Sequence, residues 1–126
     1  MEQVTELRQN EVVRVNSDRL EELYHQLGES GAEDVVCRAL EELAARLSHT
    51  ERCFREFRHD DMRKSARSLV AISEQIGMSL LAQVALDVTI CIDTGDKIAL
   101  SSTMARLLRI GERSLTEIWE LQDLSI

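Results

Sequence analysis

Proline is missing from the 126 residues altogether and glycine occurs only five times, so little in the chain interrupts a helix. Aromatic residues are equally scarce: one Trp, one Tyr and two Phe. Leu, Ala, Glu and Arg, all good helix formers, dominate instead, which argues against a β-sandwich or barrel. The three cysteines, Cys37, Cys53 and Cys91, are odd in number and widely spaced. They imply no disulfide framework and suit a reduced, cytoplasmic setting, with Cys37 and Cys91 expected as small buried hydrophobes. No uninterrupted apolar run reaches membrane-spanning length, and no charged-then-apolar signal segment opens the chain.

Charge is present in excess of one sign. The formal net charge is −8, and an acidic chain is repelled by a phosphate backbone, so no nucleic-acid partner is expected. The excess is uneven. Residues 52–67 carry Arg52, Arg55, Arg58, Arg63, Lys64 and Arg67 against Glu56, Asp60 and Asp61, a local +3 that leaves −11 for the remainder. A basic patch on an acidic body suits a protein partner with a small acidic site; the plainer alternative is ordinary helix-surface charge.

The apolar spacing predicts an all-α fold. Residues 1–15 read as an N-terminal arm or short helix, and residues 16–126 as one bundle domain. Asn16, Ser17 and Asp18 offer caps for a short helix carrying Leu20, Leu23, Tyr24 and Leu27, ended by Gly28 and a turn at Glu29-Ser30-Gly31. A longer helix from Ala32 has the stripe Val36, Leu40, Leu43, Leu47, Thr50, Phe54, Phe57, alternating four and three residues apart. Asp60 and Asp61 would cap the next helix, with Met62, Ala66, Leu69, Ser73 and Ile76 as its buried face, and Gly77 would end it. Ser79 would cap a helix with Leu81, Val84, Ala85, Val88 and Ile92. Thr94-Gly95-Asp96 then leads into a last helix with Leu100, Met104, Leu107, Leu108, Leu115 and Ile118. Four one-sided helices joined by short loops predict an antiparallel up-down four-helix bundle, its first short helix closing one end.

Chemistry-bearing motifs are absent. There is no Gly-rich phosphate loop, Cys-x-x-Cys or His-Glu-x-x-His. His49 and Cys53, four apart, would share a helix face, but two ligands do not hold a metal. Glu41 and Glu42 read as a solvated pair without an apolar pocket to raise a pKa. No catalytic residue, cofactor or metal is expected.

One ordered set of features stands out in the second half. Ala66-Arg67-Ser68-Leu69-Val70-Ala71 is followed by Ile76-Gly77, then Leu80-Leu81-Ala82, then Thr94-Gly95-Asp96 with Ala99-Leu100 beyond. This succession, from Asp60 to Leu115, resembles the histidine-containing phosphotransfer (HPt) domain of bacterial phosphorelays. In that family a four-helix bundle carries one exposed phospho-acceptor histidine midway along a helix, and receiver domains of response regulators or hybrid kinases dock over it. Set against the family's pattern, Arg67 occupies the acceptor position, Val70 the usual lysine and Ala71 the usual glycine. A guanidinium stays protonated and has no lone pair to attack phosphorus, so Arg67 cannot stand in for an acceptor histidine.

The resemblance therefore implies a degenerate, non-enzymatic HPt domain that binds a receiver domain through Arg63, Lys64, Arg67, Val70, Ala71 and Glu74, with blocking of that domain as one expected consequence. Arg67 would enter the receiver's carboxylate cluster through bidentate bonds. Three other readings stay open at this point. Arg67 pairs with Glu74 in a bundle with some other partner; another histidine, His59 before His25 or His49, accepts phosphate; or the chain is a dimerisation module using Val35, Ile90, Ile110 and Trp119.

Overall fold

The computed structural model describes residues 15–124 and is helical throughout, with no strand among those residues. The arm expected over residues 1–14 lies outside them. Four helices follow in order: α1 (Ser17–Arg55), α2 (His59–Gln75), α3 (Ser79–Thr94) and α4 (Lys97–Leu124). Each packs on the next and α4 returns onto α1, so the four surround one core.

The expected first short helix is present but is not set apart by a loop. Within α1 only Gly28 leaves helical geometry, at φ 75 and ψ 173, and Glu29-Ser30-Gly31 are helical rather than a turn. A single residue free of Cβ strain suffices to redirect the chain. Asn16 caps α1, accepting the Arg19 amide, and the Asn16 amide in turn donates to the Gly77 carbonyl at 2.8 Å. Arg19 Nε adds a bond to the Gln75 carbonyl at 2.9 Å. The start of α1 is thus tied to the end of α2.

Most of the predicted stripes are buried. Val36, Leu40, Leu43, Leu47 and Thr50 of α1 are buried with Met62, Ala66, Leu69 and Ser73 of α2 and Ile76 just past its end, with Leu81, Val84, Ala85 and Val88 of α3 and Leu100, Met104, Leu107 and Ile118 of α4. The α1 stripe departs from expectation at its end. Cys53, three residues after Thr50, takes the core position, Phe54 is half-buried and Phe57 is 83% exposed. The helix stops at Arg55, so Phe57 has no helical face to share.

Three expected caps differ as well. Arg58 and Met78, with no side-chain cap bond, precede α2 and α3, so Asp60, Asp61 and Ser79 are not caps. Asp60 and Asp61 sit in the first turn of α2, where negative charge suits the helix dipole. Asp96 does cap α4, accepting the Ala99 amide at 3.0 Å.

Close approaches fix how the helices meet. On α1 and α2 the Thr50 and Ser65 hydroxyls lie 2.7 Å apart in the core, and Thr50 Oγ1 is also 2.7 Å from the Arg46 carbonyl. On α4, Gly111 approaches α1 so closely that a Cβ there would stand 2.6 Å from Leu47 Cδ1. Ile110, expected on the surface, is fully buried, and Val35 is half-buried.

Candidate functional site

Amphipathicity positions the residues of interest. With Met62, Ala66, Leu69 and Ser73 facing the core, the opposite side of α2 displays Lys64, Arg67, Ala71 and Glu74 as exposed residues, with Arg63 and Val70 half-buried. All six predicted contact residues therefore fall on one outer region of α2. Arg67 stands near the middle of the helix and makes no hydrogen bond or ion pair with a described residue, Glu74 included.

Arg63 is already engaged within the chain: it makes a two-pronged pair with Asp93 of α3, Nε to Oδ1 at 2.8 Å and Nη2 to Oδ2 at 3.1 Å. That hydrogen bonding holds the Asp93 carboxyl below its ordinary pKa, and the nearby positive charge of Arg67 acts in the same direction. The guanidinium of Arg63 is correspondingly raised. Sequence spacing along one helix could not reveal this pair, because its members lie 30 residues apart.

Residues of α3 that the sequence did not assign to this face complete it. Val70 and Glu74 line a surface hollow of about 200 Å³ together with Ser79, Ala82, Gln83 and Leu86. Leu86 and Ile90 are half exposed, at 46% and 51%. Since Arg63 pairs with Asp93 and Val70 shares the hollow with Leu86, the register of the two helices brings Arg67 level with Ile90. The signal was available: in Leu86-x-x-x-Ile90 the two apolar residues are four apart and off the stripe Leu81, Val84, Ala85, Val88. The arrangement is an apolar strip with one uncommitted guanidinium at its centre and an internal ion pair at its edge.

The histidines occupy different surroundings. His59 is the first residue of α2, eight positions and about 12 Å of helix from Arg67, and is exposed. It lines a second hollow, of about 170 Å³, with Cys91, Ile92, Lys97 and Leu100 among its neighbours. His49 is bracketed by its own helix, with Nδ1 3.3 Å from Arg52 Nη2 and Nε2 3.5 Å from Cys53 Sγ. His25 is exposed near the start of α1. Among the described residues no three His, Cys, Asp or Glu side chains gather in a metal-binding group. No disulfide joins the three cysteines, and Cys37, expected in the core, is exposed while Cys91 is half-buried. Among the same residues no helix is long and apolar enough to cross a membrane. No family model, curated protein or solved structure matches this chain.

Proposed function

We propose that this chain is a pseudo-phosphotransfer domain: an up-down antiparallel bundle of the HPt type that binds a receiver domain without carrying a phosphoryl group. The observation that carries the reading is the exposed Arg67 at mid-helix, without a hydrogen bond or ion pair to a described residue, at the position the HPt resemblance assigns to the acceptor histidine. Beside it lies an apolar strip of Val70, Leu86 and Ile90 suited to a protein surface. The pairings Thr50 with Ser65 and Arg63 with Asp93 fall on either side of the two short turns in the manner of antiparallel neighbours, and Leu47 against Gly111 brings the last helix back onto the first; together they support the up-down topology.

Mechanistically, a guanidinium offers five donors in a rigid fork and matches a carboxylate cluster or a phosphoryl group in two-pronged fashion. It holds such a group but cannot accept phosphorus. Binding of this kind occupies the receiver's phosphorylation pocket and competes with any active donor. Asp93 keeps Arg63 engaged, which leaves Arg67, with Lys64 on the same face, to make the contact.

The test is a capture experiment with the receiver domains of the source organism, taken one at a time, using native chain, Arg67→Glu and Leu86→Asp. Both substitutions are expected to abolish capture while helicity and melting stay within about half a kcal/mol of native, as surface changes usually do. Undiminished capture by both variants would overturn the reading. Acid-labile, base-stable label appearing on this chain after incubation with a phosphorylated receiver would replace it with an active phosphotransferase using another histidine.

A further inference from the structure

Three helices end in the same turn. After α1, the Phe57 amide donates to the Phe54 carbonyl and the Arg58 amide to the Cys53 carbonyl. After α2, the Gly77 and Met78 amides donate to Glu74 and Ser73; after α3, the Gly95 and Asp96 amides donate to Ile92 and Cys91. This Schellman pattern places the residue after the cap in the left-handed region, where glycine is the usual occupant. Gly77 and Gly95 fill it in two turns. In the third it is Phe57, at φ 57, the only non-glycine residue with positive φ among those described. An aromatic side chain held in a strained backbone conformation and 83% exposed is costly to the isolated chain on both counts.

Phe57 is not alone at its end of the molecule. The turn before His59 and the turn at Gly95-Asp96 meet around the hollow of about 170 Å³, lined largely by Cys91, Ile92 and Leu100 with His59 and Lys97 at its rim. Ile98, next to Lys97, is 84% exposed, so the two most exposed large hydrophobic residues described belong to this end. A cavity of about 150 Å³ accommodates a benzene-sized ring, which puts this hollow on the scale of a phenyl group. The charge is also distinctive. Residues 51–64 and 91–98 carry six basic and six acidic side chains, so this end is neutral and the entire −8 lies elsewhere.

We propose that two copies of the chain associate through this end, the Phe57 ring of each entering the hollow of the other. A two-fold axis requires a surface that complements itself, and a ring beside a ring-sized hollow provides one. Mixed, balanced charge lets two acidic molecules approach here without the repulsion they meet elsewhere. Ile98 adds apolar area to the same contact. Burial of Phe57 against a second copy accounts for its retention where glycine serves the sister turns. The dimer contact stands independently of the receiver reading, although Arg63, Lys64 and Asp93 border both regions.

Sedimentation velocity of the full chain over a wide concentration range tests it. The native chain is expected to pass from monomer to dimer. Phe57→Gly supplies the residue the turn prefers, so melting of dilute protein is unchanged or higher, while dimerisation weakens by about tenfold or more, as for loss of a buried aromatic anchor. Ile98→Asp weakens it as well, and Leu86→Asp, on the other face, leaves it intact. A native chain that stays monomeric at every concentration overturns the proposal, as does a dimer unaffected by Phe57→Gly.

Discussion

Ser73 is fully buried in α2, and its hydroxyl is the one buried side-chain oxygen or nitrogen among the described residues without a hydrogen-bond partner. Removing it takes away an unmet polar group and little volume. Ser73→Ala should therefore leave stability unchanged or raise it by about 1 kcal/mol in urea titration; a loss of that size would mean the hydroxyl is bonded after all. Thr50 and Ser65 are the contrast, buried and bonded to each other. Asp93 poses a question of sign. Its carboxyl is held below the ordinary value by Arg63, so the pair's contribution is present above the usual carboxylate pKa and is lost as pH falls below it, through the lowered folded value. The urea midpoint of Asp93→Asn should accordingly fall less steeply on acidification than that of the native chain. Equal slopes would place the acid sensitivity in other carboxylates.

At the scale of elements, α2 was legible almost entirely, because its four-and-three alternation runs from Met62 to Ile76 and each of those residues is buried. Its start was misjudged: acidic residues near a helix N-terminus satisfy the dipole equally well in the first turn as at the cap. Of the apolar positions expected to be buried along α1, Leu27 and Phe57 are exposed and Phe54 packs only partly against the core: Leu27 precedes the kink at Gly28, and the helix ends before Phe57. The glycine turns differ in what surrounds them, and their substitutions should differ too. At Gly95 an added Cβ meets nothing within 4 Å, so Gly95→Ala costs only the left-handed strain, about 1–2 kcal/mol. At Gly77 the same atom would stand 2.9 Å from both the Cβ and the backbone oxygen of Asn16. Gly77→Ala should cost more than Gly95→Ala by thermal melting and loosen the start of α1; equal costs would show that the contact with Asn16 yields freely. Leu69→Ala, a truncation at a fully buried position, should cost about 2–5 kcal/mol.

The whole molecule has one core to which all four helices contribute. Unfolding followed by helical circular dichroism and by the fluorescence of Trp119, near the end of α4, should give coincident transitions. Separate midpoints would mean that α4, or the segment before Gly28, releases independently. The helical class, the helix order, the turns at Gly77 and Gly95 and the outward placement of Arg67 were all determined by the sequence, because helical periodicity and backbone freedom act within a few residues; at Gly28 it marked the place, but the chain kinks there and does not turn. Tertiary structure alone decided that Arg63 is engaged by Asp93, that Leu86 shares a hollow with Val70, that Ile110 is inside and that Phe57 is outside. Each of those outcomes depends on which helix lies alongside which and in what register, a relation between residues far apart in the chain that local pattern does not encode.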